Sequence, residues 1–238
     1  MLVGPWLAAA LALVWQHRRA PLTRFVALAW LPAGALWLLA DRLGVRPLGF
    51  PSHLVALTAA HFHHAGFGVS ALLASVGARR SVAVHQLGMV SVAAGLTVSY
   101  AADLGLTATR VPGARWLEPL GAACIVGTLV VWGRLAWCRR SVTSGWRRVA
   151  FSVAAVAWAY PMALALVWAL APLGPSALLE PLHRTLTAMV AQHGAVNALA
   201  VVLLGLAALT SQRTTATSAP TVAPTASDTF SPTEQGAH

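Results

Sequence analysis

Hydrophobic residues along this chain gather into seven long runs, and short polar gaps between them hold nearly all of its charge. The runs cover approximately residues 2–16, 25–40, 53–76, 82–101, 116–133, 149–172 and 185–210. A helix crossing a bilayer needs about 20 mostly apolar residues, and only closed backbone hydrogen bonding survives in lipid. The pattern therefore predicts an all-α fold: an integral membrane helical bundle of about seven transmembrane helices over residues 1–210. The second run is short, bracketed by Arg24 and by Asp41 with Arg42, so the span count is least secure at one of the first two runs. The first lacks the basic n-region of a signal peptide and is followed by Arg18 and Arg19, and it reads as a retained first helix. After Thr210 the chain turns to Thr, Ser, Ala and Pro, a composition that cannot bury enough surface to fold. Residues 211–238 are expected to form a disordered tail.

Composition agrees. Of 238 residues, 58% are hydrophobic and 9% charged, where soluble domains carry roughly 25% charged residues. A water-facing surface cannot be built from that. The net charge of +10 comes from 16 basic residues, all arginines in the gaps, without the basic helical stripe and interleaved aromatics of a nucleic-acid binder. Nucleic acid is therefore not an expected partner, and the lipid bilayer is.

The arginines serve better as topology signals, because cytoplasmic loops are enriched in them. Alternate gaps place Arg18, Arg19, Arg24, Arg79, Arg80, Arg134, Arg139, Arg140, Arg147, Arg148 and Arg213 on one side. Arg42, Arg46, Arg110, Arg115 and Arg184 fall on the other, a split of 11 to 5. Asp41, Asp103, Glu118 and Glu180 all lie on the arginine-poor side. The N-terminus is expected outside and the tail in the cytoplasm, in the cell membrane, a bacterial inner membrane. Cys124 and Cys138 lie on one predicted helix roughly 21 Å apart, too far to pair.

Ionisable groups inside a span are costly and usually mark a site or a partner. The third run carries His53, His61, His63 and His64, the last three well inside it. At 100° per residue Thr58, His61 and His64 or Ala65 share a face, while His63 points about 200° away from His61. Two interior surfaces are being served. The seventh run carries His193 and Asn197 at i and i+4, on one face. His61 and His193 each follow the start of their run by 8 residues, which places both rings roughly 12 Å below the outer boundary. Tyr160, beside the kinking Pro161, reaches a similar depth from the sixth run. A polar layer of Thr58, His61, His63, His64, Tyr160, His193 and Asn197 follows. His53 and His85, near opposite span ends, are left out of it. Glu118 and Glu180 read as loop-solvated. Gly66, Gly68 and Gly194 read as close-packing positions, and Trp30, Trp37, Trp116 and Trp168 as interfacial anchors.

Two passages resemble the YndJ-like membrane proteins of bacteria. One is Pro47-Leu48-Gly49-Phe50 followed by Leu57-Thr58-Ala59-Ala60-His61-Phe62-His63-His64-Ala65-Gly66-Phe67; the other is His193-Gly194 with Asn197-Ala198. With helix number and order, the likeness covers most of residues 20–210. His64 departs from the motif, where an aromatic residue is expected. The resemblance implies a multi-pass membrane protein, sometimes labelled a transporter, and brings no substrate or reaction. His61-Phe62-His63 is also locally similar to the His-Phe-His helix of haem-copper oxidase catalytic subunits, whose other ligand helices are absent.

Three functions fit. The histidines change protonation in a small-solute or proton-coupled transporter; or His61, His63 and His193 ligate haem or copper; or all are interhelical contacts. The first is favoured. Ser-His-Asp patterns, phosphate-cradling glycine loops and paired intramembrane carboxylates are lacking, which argues against an enzyme.

Overall fold

In a computed structural model the described residues are 3–105, 113–173 and 190–217. Among them every predicted run is helical and no strand occurs. The helices are α1 (Val3–Gln16), α2 (Leu22–Arg42), α3 (residues 52–75), α4 (Arg79–Asp103), α5 (Leu117–Ser141), α6 (Gly145–Val156 and Ala159–Leu170) and α7 (residues 190–217). Boundaries follow local chemistry. Pro21 and Pro51 precede α2 and α3, where a missing N–H costs nothing, and Gly77, at φ 79°, makes the turn between α3 and α4.

Five helices are long and apolar enough to cross a membrane: Leu22–Arg42, Arg79–Ala102, Ala114–Ser141, Gly145–Leu170 and Gln192–Thr210. The seven predicted helices are present, but length and apolarity alone support five spans. α1 has only 14 residues. α3 is long enough, about 36 Å at 1.5 Å per residue, but its four histidines dilute its apolar character. The doubt over the second run is resolved by length. α2 extends through Leu22, Thr23 and Arg24 and through Asp41 and Arg42, reaching 21 residues. α7 continues to Thr217, beyond the expected end of order at Ser211; residues 218–238 lie outside the described residues, as do Arg110, Glu180 and Arg184.

The exterior is apolar. Leu36, Leu87, Val90, Val130, Leu199 and Leu203 are all exposed, as lipid contact requires and as water would penalise. Inside, Leu72 and Leu73 of α3, Trp132 of α5, Phe151 of α6 and Val201 of α7 are fully buried in one core. Glycines bring backbones together. A Cβ on Gly88 would lie 2.8 Å from the Gly121 carbonyl oxygen, and one on Gly121 would lie 2.7 Å from that of Gly88, so α4 and α5 touch through a reciprocal glycine pair.

Two irregularities shape the interior. The middle of α3, Phe62–Val69, is wound as a π-helix, and so are Val190–Ala195 and Asn197–Leu203 of α7. These wide turns face one another where Gly68 meets Val202. α6 is broken at Ala157–Trp158, because Pro161 lacks the N–H that would pair with the Ala157 carbonyl.

Since residues 218–238 have the Thr-, Ser- and Pro-rich composition of a chain without an apolar face, truncation after Thr217 should leave folded yield and thermal stability in detergent nearly unchanged. Size-exclusion profiles and thermal unfolding of both lengths would check it, and a loss of several degrees would mean that the tail packs on the bundle.

Candidate functional site

The histidines of α3 divide between two seams, as their angular spacing predicts. His61 and His64 form one group with His193 of α7. Ring centroids of His61 and His64 lie 4.9 Å apart, edge to face, and those of His61 and His193 lie 6.1 Å apart with planes only 18° from parallel. The matched depth expected for His61 and His193 is thus met by direct ring contact. His63 leaves by the opposite side. Its Nδ1–H donates to the Ala59 carbonyl at 2.7 Å, and its Nε2 accepts from the indole N–H of Trp6 on α1 at 3.0 Å. Gly34 of α2 makes room for this ring, for a Cβ there would lie 2.5 Å from it.

That division sets His63 apart from His61 and His193, the other two members of the haem or copper reading. One turn cannot aim residues i and i+2 at the same point, and among the described residues no three His, Cys, Asp or Glu side chains converge to hold a metal ion.

Carbonyls fix the tautomers. His64 Nδ1–H donates to the Ala60 carbonyl at 2.8 Å, and His193 Nδ1–H to the Pro161 carbonyl at 2.9 Å. A carbonyl only accepts, so a neutral ring in either position keeps its lone pair on Nε2. His61 has no hydrogen bond among the described residues and offers a lone pair in either tautomer.

Around His193 three successive residues of α6 engage α7. The Tyr160 hydroxyl donates to Gln192 Oε1 at 2.6 Å, the Pro161 carbonyl accepts from His193, and Asn197 Nδ2 lies 3.5 Å from Met162 Sδ. Tyr160 is 53% exposed and acts on Gln192, not on the histidine rings. Asn197 is buried, and its Oδ1 has no hydrogen-bond partner among the described residues. Thr58 spends its hydroxyl on the Leu54 carbonyl of its own helix at 2.8 Å. Of the seven predicted residues, His61, His64 and His193 form the contact cluster, Tyr160 and Asn197 flank it, and His63 and Thr58 are turned to other tasks.

A second polar layer escaped the sequence. His85 is fully buried; its Nε2–H donates to the Ala65 carbonyl in the π-helical part of α3 at 2.9 Å, and Thr128 Oγ1 of α5 lies 3.4 Å from its Nδ1. Beside it Trp30 Nε1–H donates to Gln86 Oε1 and Gln86 Nε2–H to Ser70 Oγ, each at 2.6 Å. His85 is therefore no water-exposed span end, and Trp30 is no interfacial anchor. The available signal was the adjacent polar pair His85-Gln86 inside a run. The apolar run starts at residue 82, but the helix begins at Arg79, which sets His85 about one turn deeper than the run implies. His53 is exposed, as expected. Gly66 packs against the Trp30 ring, but Gly194 has nothing within 4 Å of a Cβ and is not a packing position.

No curated protein and no solved structure matches the chain. The family described as YndJ-like protein matches residues 2–201, a stretch that holds α1 to α6 and both histidine-bearing segments of the cluster. With five apolar helices of spanning length and a match over most of its residues, this membrane protein belongs to the YndJ-like family.

Proposed function

We propose that this protein is a proton-coupled or small-solute transporter of the bacterial inner membrane, in which His61, His64 and His193 form the proton-accepting site. All seven helices span in this reading, with the N-terminus outside and the tail in the cytoplasm. The observation that carries it is the contact of the His61 ring with two others whose Nδ1–H groups are already committed to carbonyls. What remains at the cluster is a set of lone pairs, joined by the unpaired Oδ1 of Asn197 one turn further along α7. Such a set suits a proton or a cationic donor and repels an anion. Two charged rings 4.9 Å apart would repel by about 3 kcal/mol at an effective dielectric constant near 20, so the cluster takes up one proton at a time.

Proteoliposomes carrying a trapped pH dye test this reading. After an external acid pulse the intact protein should acidify the lumen faster than empty vesicles, and His61→Asn should lower that rate about tenfold at equal folded yield. Equal rates for both proteins, at several candidate solute gradients, would overturn it.

A second reading has its own support. His63 and His85 have their ring nitrogens occupied by neighbouring groups, the arrangement of interhelical contacts worth roughly 0.6–2 kcal/mol each. For these two we assign that role.

A further inference from the structure

The hairpin joining α5 to α6 concentrates positive charge without any compensating acid. Arg139 and Arg140 close α5, and Arg147 and Arg148 open α6, all within ten residues, while the chain carries no Asp or Glu between Glu118 and Glu180. The first pair suits a helix C-terminus. The second opposes its site, because a helix N-terminus is itself positive, and the first turn of α6 has neither an acidic residue nor a side-chain cap.

These guanidinium groups are partly held in place. Arg140 stacks on the Trp137 ring, with Cζ 3.4 Å from its centroid, and Arg148 Nε donates to the Thr143 carbonyl at 2.9 Å. Nε of Arg140 and Nε of Arg147 are both buried within the protein and have no hydrogen-bond partner among the described residues. Four guanidinium groups without an acid in their stretch of chain repel one another, and an anion seated among their outer nitrogens relieves that repulsion. Around them the hairpin is apolar and open: Val142 at its tip is 82% exposed, Trp146 55% and Trp137 47%.

We infer that this hairpin binds the phosphate of an anionic phospholipid, with Arg140 and Arg147 as its paired donors and Trp137 and Trp146 seated at the level of the headgroups. Lipid is favoured over free phosphate because the exposed aromatic and aliphatic side chains would lie against glycerol and acyl carbons, which inorganic phosphate lacks. The site is independent of the histidine cluster and stands whether or not that cluster moves protons.

Native mass spectrometry of the protein released from neutral detergent tests this. Micelles containing phosphatidylglycerol should leave one retained lipid, and phosphatidylcholine none. Arg140→Gln with Arg147→Gln should weaken retention about 30-fold, from roughly tenfold per 1.4 kcal/mol and about 1 kcal/mol per arginine. Arg42→Gln with Arg46→Gln should change it little. If the glutamine pair folds poorly, Arg140→Lys with Arg147→Lys decides: lysine keeps the charge but lacks the planar fork that meets two phosphate oxygens at once, so retention should still fall. Equal retention of both lipids, or unchanged retention in the arginine variants, would overturn the inference. So would full displacement of phosphatidylglycerol by millimolar inorganic phosphate, which would make the site one for free anions.

Discussion

Gly121→Val should destabilise the bundle by about 3 kcal/mol, whereas Gly127→Val, on the same helix, should be close to neutral. A side chain at Gly121 would sit 2.7 Å from the Gly88 carbonyl oxygen and 2.8 Å from both the backbone nitrogen and Cγ2 of Val92. Backbone cannot rotate aside as a flexible side chain can, so α4 must move away from α5. In lipid no hydrophobic force holds two helices together, and close approach supplies much of their attraction. Separation therefore forfeits dispersion contacts along the whole seam and strains the Ser91 hydroxyl, which donates to the Leu117 carbonyl at 2.8 Å. Gly127 has nothing within 4 Å of a Cβ and is exposed, so valine there only adds lipid contact. Thermal unfolding in one detergent would compare the two. Similar losses at both positions would show that helix propensity, not the α4–α5 contact, sets the effect.

His61→Ala and His193→Ala should each lower proton flux at least about tenfold, and the double substitution should lower it no further. Groups that share one proton act as a unit, so once either ring is gone the other has little left to lose. The 6.1 Å stacking of the two rings motivates this, and His63 supplies the control. His63 holds Trp6 of α1 instead, so His63→Ala should leave flux nearly intact while loosening α1, read as faster proteolysis near residue 17. Additive losses for His61 and His193, matched by equal losses in folded yield, would reduce both to structural contacts.

How much of this was legible without coordinates depended on which residues carried the signal. Helix positions were legible because lipid imposes length and polarity on every span, and charged gaps such as Arg79-Arg80 punctuate them. The pairing of His61 with His193 followed from equal distances to the span starts, and the departure of His63 from its angle. The π-helical turns were not legible. Nothing in Phe62–Val69 distinguishes wide winding from ordinary winding except tertiary support, here the His85 ring on the Ala65 carbonyl. Of His64 and Ala65, which a regular helix leaves equally near the His61 face, it is His64 whose ring meets His61, while the Ala65 carbonyl meets His85. His85 was misplaced for a related reason. An arginine that lies at the membrane surface can still be helical, so counting from the end of the charged gap put the ring too close to water.

The third helix also bears on how the chain enters a bilayer. It lacks the apolar character that carries its neighbours in, yet it holds the histidines. Arriving alone, it would bring imidazoles into hydrocarbon with nothing outside the helix to meet them. The groups that meet them belong to other segments: Trp6 to α1, and Pro161, which orients His193, to α6. His85 and Gln86, which bond to α3 itself, belong to α4. If α3 spans as proposed above, its insertion would be a cooperative event, coupled during synthesis to α2 and α4, and complete only when the last helices arrive.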